Sequence, residues 1–354
     1  MMASSDNHEL EIEALERASA LAARFYTEPA VAELERERVF ARSWQLAAHA
    51  GELAGAGDHV VCTVAGVPVL IVHGADGVLR AFHNVCRHRA GPLATASGRG
   101  ATTLRCRYHG WTYSLEGRLR AAPEMDGAAG FDPGSIVLAP AAVREWQGLV
   151  FVAVAAEAPP FEAVLGGIAE RIAPIELTAM SFYRRVEYEV GCNWKVYVDN
   201  YLEGYHLPHV HPGLSKVLDY RAYSTELAEW WSLQHSPLRD ARDVYGEGSA
   251  WYFFVYPNLM LNIMPGRLQT NLVTPLGLDR CRVVFDYFYS AGGVALAEED
   301  QRFSDEIQRE DIAICERVQQ GLLSRSYVPG RLSPRRESGV WHFRNLLRQA
   351  YRCS

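Results

Sequence analysis

The stretch that decides the fold runs from residue 86 to residue 110 and reads CRHRAGPLATASGRGATTLRCRYHG. It contains Cys86 and His88 at its start and Cys106 and His109 near its end, with seventeen residues between the two short Cys/His loops. Two such loops can present two thiolates and two imidazoles to one point. The stretch therefore predicts a metal site built from both loops.

Two kinds of centre fit these four side chains. One is a Cys₂His₂ zinc site. The other is a [2Fe–2S] cluster with two Cys on one iron and two His on the other, as in a Rieske centre. We favour the cluster because Cys-x-His followed by Cys-x-x-His is the loop order of a Rieske centre. In addition, Gly91, Pro92 and Gly110 let backbone amides approach the sulfurs.

The segments on both sides of these loops are rich in β-branched residues. Runs such as HVVCTVAG (59–66), VPVLIVHG (67–74) and GLVFVAVAA (148–156) are short and separated by glycine-containing turns. We therefore predict an all-β domain over residues 46–156, ending close to Pro159-Pro160.

The remaining chain predicts an α+β arrangement. Residues 1–45 are expected to form N-terminal helices that pack on a second domain, residues 157–354. The predicted helices are Glu11–Phe25, Ala30–Trp44, Phe161–Ile172, Trp194–His206 and Asp300–Leu323. The predicted strands of the second domain are Tyr183–Val190, Trp251–Met264 and Arg282–Ser290.

A second group of metal-binding side chains lies in residues 193–212, NWKVYVDNYLEGYHLPHVHP. In the predicted helix Trp194–His206, Asp199, Glu203 and His206 occupy positions i, i+4 and i+7 and share one face. Two carboxylates and an imidazole are costly to bury unless they have a function.

Two histidines of this stretch can reach one ion. Pro208 ends the predicted helix, so His211 can lie beside His206, and His209 is the alternative to His211. Two His and one carboxylate form the facial triad of non-haem Fe(II) enzymes, which leaves coordination positions open for O₂ and substrate.

The third ligand is expected from the last predicted helix. With Ile307 as reference, Asp311, Ile314 and Val318 fall at i+4, i+7 and i+11, so Asp311 lies within an apolar stripe. An acid on a core face is costly unless a metal binds it. We therefore predict Asp311 as the ligand, with Glu310 at the edge of the same face as the alternative.

From about Phe40 to Leu323 the chain resembles the α subunits of the Rieske non-haem iron oxygenases. The resemblance rests on the Cys/His loops, on residues 193–211 and on QREDIAICERVQQGL (308–322). It assigns the cluster to Cys86, His88, Cys106 and His109, and the iron to His206, His211 and Asp311. It implies an all-β Rieske [2Fe–2S] domain and a helix-grip (START-like) catalytic domain with an antiparallel sheet and a long C-terminal helix.

The resemblance also implies electron transfer between subunits. Glu203 falls where the family keeps a carboxylate that links a cluster histidine of one subunit, here His109, to an iron histidine of its neighbour. A head-to-tail ring is required, and the resemblance implies a homotrimer. Asn200 and Asp199 are candidate groups for orienting the imidazoles.

The implied cofactors are the [2Fe–2S] cluster and mononuclear Fe(II), with O₂ as co-substrate. NAD(P)H would act only through a separate flavin- or ferredoxin-type reductase, because no GxGxxG fingerprint follows a strand in this chain.

The expected reaction is hydroxylation or oxidative demethylation of a small molecule. Glu203, DNYLEGYH (199–206) and YPNLMLN (256–262) look closest to choline-, carnitine- and betaine-type monooxygenases. An aromatic cage would suit a quaternary ammonium. Candidates for it are Trp230, Trp231, Tyr252, Phe254 and Tyr256. The alternatives are an aromatic substrate, for ring hydroxylation or O-demethylation, and an electron-transfer Rieske protein without oxygenase activity.

Composition narrows the functional classes. The chain has 354 residues and a net charge of −7, which argues against a general nucleic-acid binder. The longest apolar run, Val60–Val72, is short of the roughly 18 residues of a membrane span. Seven cysteines and no export signal favour the reducing cytoplasm.

Positive charge is concentrated around the Cys/His loops. Residues 80–120 contain eight arginines and one acid, Glu116, a local charge of +7. This segment is either a solvated face or a docking surface for an acidic protein partner.

Overall fold

The computed structural model describes residues 9–238 and 248–352. They form two compact units. One unit spans Phe40–Phe161, and the other combines the described residues up to Val39 with those from Glu162 onward.

The Phe40–Phe161 unit is built from antiparallel strands. They are β1 (Gln45–His49), β2 (His59–Val64), β3 (Val67–His73), β4 (Leu79–His83), β5 (Leu104–Arg105), β6 (Thr112–Tyr113), β7 (Leu119–Ala121), β8 (Pro140–Trp146) and β9 (Leu149–Ala153). A six-stranded sheet has the order β1-β9-β8-β4-β3-β2, and β5-β6-β7 form a small second sheet.

Strand β3 separates two apolar clusters of this unit. Val69 and Ile71 pack into one cluster, whereas Leu70 and Val72 pack into the other. This alternation follows from the two-residue period of a strand. The second cluster also contains Cys86 and the second loop's cysteine, so both Cys/His loops are anchored on the core.

The other unit combines a large sheet with helices. Its strands are β10 (Ser181–Val190), β11 (Ser224–Leu227), β12 (Trp231–Pro237), β13 (Ser249–Val255), β14 (Leu259–Met264), β15 (Arg267–Pro275) and β16 (Cys281–Tyr289). Its helices are α1 (Arg24–Thr27), α2 (Pro29–Glu35), α3 (Phe161–Leu165, which begins at the end of the first unit), α4 (Ile168–Ile172), α5 (Trp194–Tyr201), α6 (Leu207–Val210), α7 (Leu214–Val217), α8 (Ala297–Leu323) and α9 (Ser338–Arg352). The seven strands are antiparallel in the order β10-β16-β15-β14-β13-β12-β11.

Helix α8 buries a polar face rather than an apolar one. Asp300, Ser304 and Gln308 are buried, and each accepts a hydrogen bond from a buried tyrosine hydroxyl of the sheet or of α5. Val318, predicted on the core face with Ile307, is 45% exposed. The phase of the predicted stripe is therefore wrong, because the polar partners on the sheet select the buried face.

The predicted helix Glu11–Phe25 is also wrong. This segment forms a 3₁₀ turn at Leu15–Arg17 and reaches helical structure again only at α1. Between these elements Ser19 forms an antiparallel β-bridge with Arg331. Backbone pairing with a distant segment overrides local helix propensity here.

Two further predicted helices are interrupted. The predicted helix Ala30–Trp44 begins as α2 and continues as a π-helical turn, Arg36–Phe40, where it ends. The predicted helix Phe161–Ile172 is split into α3 and α4, with Gly167 in the left-handed region at φ 83°.

A buried ion pair attaches α2 to α5, and we predict that its loss strongly destabilises the protein. Lys195 Nζ lies 2.6 Å from Glu35 Oε1, and both side chains are at most 3% exposed. Trp194 Nε1 and Tyr351 Oη also donate to Glu35. Replacing Glu35 by alanine should cost about 3–5 kcal/mol, because the Lys195 ammonium stays buried without its partner.

Urea unfolding checks this value, with Glu33→Ala as the control. Glu33 lies on the same helix in an exposed ion pair with Arg36, so its removal should leave the midpoint unchanged. Equal midpoints for the two variants would contradict the prediction.

Among the described residues, no helix combines the length and apolar character that crossing a bilayer requires.

Candidate metal centres

The four predicted cluster ligands lie on two loops with the same backbone hydrogen bonds. The four are Cys86, His88, Cys106 and His109. Ala90 N donates to Cys86 O, and Gly110 N donates to Cys106 O, each at 3.0 Å. Ala90 and Gly110 both have positive φ, 58° and 77°. The two loops therefore fold in the same way although their Cys–His spacings differ by one residue.

The two histidines of these loops lie side by side. The ring centroids of His88 and His109 are 4.6 Å apart, and His88 stacks on Trp111. His88 Nδ1 is buried and has no hydrogen-bond partner in the described structure. Desolvation, followed by the nearby charges of His88 and Arg89, lowers the pKa of His109. The lowered pKa favours the neutral imidazole of His109, which is the form that binds metal.

The sulfur side of the centre is tightly enclosed. Tyr113 Oη lies 3.2 Å from Cys86 Sγ and accepts a hydrogen bond from Arg87 N. A Cβ at Gly91 would lie 2.9 Å from Cys106 Sγ, so only glycine allows the backbone this close to the sulfur. These contacts fit a cluster whose sulfurs accept hydrogen bonds from the protein.

The compactness of the ligand groups can be compared with that of a mononuclear zinc site. A tetrahedral zinc site holds its ligand atoms within about 4 Å of one another. In the described part of the chain, only His206, His211 and Asp311 bring three or more Cys, His, Asp or Glu ligand atoms within 4.8 Å of one another. Cys86, His88, Cys106 and His109 do not form such a compact group in the described structure.

The second centre contains the predicted facial triad. His211 Nε2 lies 3.0 Å from Asp311 Oδ1, and His206 Nε2 lies 3.9 Å from the same oxygen. The donor set and its convergence fit a mononuclear Fe(II) site. His209, the alternative to His211, is exposed and lies outside this group.

A carboxylate orients each imidazole of the triad. Glu203 Oε1 lies 2.7 Å from His206 Nδ1, and Glu310 Oε2 lies 2.7 Å from His211 Nδ1. Burial lowers the pKa of His211, but the hydrogen bonds and charges of Asp311 and Glu310 outweigh it and raise the pKa above its ordinary value. Glu310, the alternative to Asp311 as a predicted ligand, thus hydrogen-bonds to His211 instead of joining the triad.

Of the two other predicted orienting groups, only Asn200 contacts the triad. Asn200 Nδ2 donates to Asp311 Oδ1 at 2.6 Å. Asp199 instead accepts hydrogen bonds from Tyr26 Oη and Arg344 Nη2, at 2.8 and 2.9 Å. The structure therefore gives Asp199 a role in anchoring the N-terminal segment, not in orienting the imidazoles.

The imidazoles of His206 and His211 can converge because helix α5 is shorter than the sequence predicted. The helix stops at Tyr201 instead of His206. At Gly204 a Cβ would lie 2.8 Å from the ring of Tyr223, so only glycine lets the backbone pass this close to that ring. His206 and His211 then flank the short helix α6, which brings both imidazoles to one side.

A cavity beside the triad has a polar floor. Gln234, Tyr252, Asn262 and Gln269 line it and form one row of cross-strand neighbours on β12, β13, β14 and β15. The tyrosines Tyr201 and Tyr223 line it as well. No sequence signal pointed to Tyr223, which lies in a loop twelve residues after His211.

Of the five aromatic residues predicted to form a cage, only Tyr252 lines this cavity. Trp231 packs against Phe253, and Phe254 packs edge-on against Phe343 of α9. Phe343 of α9 contacts Phe254 and Tyr256, which are buried in the core, whereas Trp230 is half-buried.

A separate groove of about 660 Å³ is also lined by His206. Glu203 and His206 line both spaces, and the groove wall includes Val318, Tyr327 and Glu337. Asn200 is the third residue that lines both the groove and the cavity.

The basic segment of residues 80–120 is largely unpaired. Arg80 is paired with Asp76, and Arg99 lies 3.6 Å from Asp58. Within the described structure no acid lies within ion-pair distance of the other six arginines, which are exposed.

Two family models match the chain. Residues 43–139 match the Rieske [2Fe–2S] domain. Residues 177–352 match the ring hydroxylating alpha subunit (catalytic domain).

Curated relatives match over nearly the whole length. A chloroplastic choline monooxygenase of Arabidopsis thaliana is 37% identical, over 94% of this chain and 83% of that protein. The carnitine monooxygenase oxygenase subunit of Escherichia coli (strain K12) is 32% identical, over 95% of each chain.

Solved structures match the fold. A quaternary ammonium Rieske monooxygenase superposes with a TM-score of 0.87 at 30% identity, covering 97% of this chain and 98% of that chain. Naphthalene 1,2-dioxygenase from Rhodococcus sp., at 19% identity and a TM-score of 0.77, shares the fold. The predicted fold class is confirmed.

Proposed function

The chain belongs to the family of Rieske non-haem iron oxygenase α subunits, and from this premise we propose that it oxidises a small quaternary ammonium compound. As an oxidoreductase of this family, it takes electrons from a reductase and carries a Rieske cluster together with a mononuclear iron site. The observation that supports the proposal is the convergence of His206, His211 and Asp311 on a cavity with a polar floor.

The residues that would hold the two groups are those of the two centres described above. Cys86, His88, Cys106 and His109 would hold the cluster, and His206, His211 and Asp311 the iron. When bound, the cluster supplies single electrons and the ferrous ion supplies oxygen activation.

The chain itself orients the ligands and shapes the substrate space. Glu203 and Glu310 fix the Nδ1 sides of the imidazoles, so that both Nε2 atoms face Asp311. Asn200 donates a hydrogen bond to Asp311 and so fixes the orientation of this carboxylate.

The lining of the cavity and the relatives support a quaternary ammonium substrate. The amides of Gln234, Asn262 and Gln269 hydrogen-bond to neighbouring protein groups and make one wall of the cavity polar. Tyr201, Tyr223 and Tyr252 supply the rings that a quaternary ammonium prefers as neighbours. Relatives named for choline and carnitine oxidation support the same substrate class.

A single-turnover experiment tests this function without the reductase. The holoenzyme is reduced with dithionite and mixed with O₂ and one of three compounds: choline, L-carnitine or benzoate. Mass spectrometry should detect an oxidised product from a quaternary ammonium compound and none from benzoate. Product from benzoate alone, or a colourless protein that contains only zinc, would overturn the proposal.

The groove supports a homotrimeric ring. Glu203 lines it, and in a head-to-tail ring it would receive the partner subunit's His109 on the side opposite His206. The exposed apolar residue Val318 in its wall is suited to burial against the partner. Sedimentation should give three times the mass of the 39.5 kDa chain.

The unpaired arginines support docking of an acidic electron-transfer domain of the reductase. Arg118 and Arg120 flank the buried Leu119 on β7 and project to the same side. We expect Arg118→Glu with Arg120→Glu to slow reductase-driven cluster reduction and to weaken its salt dependence, because charge steers the encounter.

Reduction by dithionite is the control for this prediction, since a small reductant does not use the docking surface. If both reductants slow equally, the double substitution has damaged the cluster, and the surface has no docking role.

The cellular compartment of the protein is inferred from its free cysteine thiols. The described cysteines are free, including the buried residues Cys192, Cys281 and Cys315. Free thiols support the reducing cytoplasm as the location.

A further inference from the structure

The only Lys or Arg side chain that lines the substrate cavity in the described part of the chain is Arg267. It belongs to β15 and is 4% exposed. Its Nε donates to Asp300 Oδ2 at 2.5 Å, and the Asp300 side chain is 2% exposed. The buried guanidinium therefore meets a carboxylate directly behind the cavity wall.

The Asp300 carboxylate balances the positive charge of Arg267 before any ligand binds. Asp300 does not line the cavity, yet it lies against the guanidinium and also accepts a hydrogen bond from Tyr289 Oη. Arg267 Nη2 donates to Gln269, the neighbouring residue of the polar row. This end of the cavity is thus rich in hydrogen bonds but has no net charge.

A substrate carboxylate would be disfavoured at this end. It would lose its hydration without gaining an unpaired cation, and a buried charge without a partner is strongly unfavourable. A hydroxyl group has no such requirement, because amide and tyrosine side chains can donate to it and accept from it.

A free donor is available for such a hydroxyl. Gln308 is 2% exposed and lines the cavity. Its Oε1 accepts from Tyr197 Oη at 2.6 Å, whereas its Nε2 is buried without a hydrogen-bond partner in the described structure. Gln308 lies three residues before Asp311 on α8, so its amide is close to the triad.

We propose that the cavity selects a quaternary ammonium compound with a neutral hydroxyl group against one with a carboxylate, and that the Arg267–Asp300 pair sets this selectivity. The inference rests on the proposed function, because it assumes a quaternary ammonium substrate. Gln308 donates to the substrate hydroxyl, and the tyrosines contact the ammonium group.

The first test compares three ligands on the wild-type holoenzyme by calorimetry under anaerobic conditions. Choline carries the hydroxyl, γ-butyrobetaine carries a carboxylate without a hydroxyl, and tetramethylammonium carries neither group. Choline should bind at least about tenfold more tightly than γ-butyrobetaine, because rejection of an unpaired charge is a strong source of specificity.

The second test changes the charge behind Arg267. Asp300→Asn keeps a similar shape but leaves the guanidinium without its counter-charge, so the choline to γ-butyrobetaine affinity ratio should fall by about tenfold. Asp305→Asn is the matched control. Asp305 lies on the same helix outside the cavity and accepts from Tyr188 Oη, so its replacement should leave the ratio unchanged.

A third variant covers the case in which Asp300→Asn does not fold. Gln308→Met removes the free amide and should weaken choline binding by about three- to tenfold, the value of one hydrogen bond. Tetramethylammonium binding should be unchanged, since that ligand has no hydroxyl.

The outcomes separate this inference from the proposed function. Wild-type preference for γ-butyrobetaine, a folded Asp300→Asn variant with an unchanged ratio, or equal effects of Gln308→Met on choline and tetramethylammonium would each overturn the inference alone. No binding of any of the three ligands would overturn the proposed function and the inference with it.

Discussion

Replacing Asp311 by alanine should remove the mononuclear iron and abolish turnover, while the visible spectrum of the Rieske cluster stays unchanged. Asp311 supplies the only carboxylate of the triad, 3.0 Å from His211 Nε2. Changes to residues that merely orient ligands cost about 10–100-fold in metal affinity, so loss of a ligand should exceed about 100-fold. The cluster ligands belong to the other compact unit and are expected to be unaffected.

Iron analysis after dialysis, together with the cluster absorption, checks this result. Asp305→Ala is the control, because it removes the same residue type from the same helix outside the triad. If Asp311→Ala keeps its iron and Glu310→Ala loses it, Glu310 is the ligand and our assignment is wrong.

Replacing Glu203 by glutamine should block electron transfer from cluster to iron even when both are bound. Glu203 is the residue that contacts His206 Nδ1 and also lines the groove proposed to receive the partner subunit's cluster histidine. Glutamine has nearly the same size but no charge, so it holds an imidazole more weakly on both sides. Single-turnover reoxidation of the cluster should slow by about 100-fold.

Glu310→Gln gives a sharp comparison. Glu310 contacts His211 Nδ1 as Glu203 contacts His206 Nδ1, but it does not line the groove. Both variants should bind iron more weakly. With iron in excess, Glu310→Gln should recover rapid cluster reoxidation, whereas Glu203→Gln should remain slow. Recovery in both would show that Glu203 acts only by orienting His206.

The two metal centres could be predicted because their ligands are close in sequence. Cys86 and His88 share one loop, Cys106 and His109 share the other, and the stretch from His206 to His211 contains both histidines of the triad. Only a few residue types bind metals, so few interpretations of these patterns are possible. Asp311 was harder to identify, because its prediction depended on which face of the last helix is buried. The predicted buried face was wrong, although Asp311 does lie in the triad.

The wrong predictions have a common cause, which is contact with residues distant in the chain. The segment Glu11–Phe25 has helix-forming composition, yet pairing of Ser19 with Arg331 keeps part of it extended. Aromatic residues on β13 were expected at the substrate, yet α9 covers Phe254 and leaves Tyr252 open to the cavity. In each case the deciding partner is more than 80 residues away in the chain.

The amino-acid sequence alone determined the family, the two metal-binding motifs and the β-rich character of the first unit. These features depend on the types and spacing of neighbouring residues. Only the tertiary structure decided that Glu310 holds His211, that Asp199 pairs with Arg344, and that the cavity floor is a row of amides and tyrosines. The first two contacts join residues about 100 or more positions apart in the chain, and the row depends on the register of four successive strands. Packing fixes both kinds of geometry, and no local pattern encodes it.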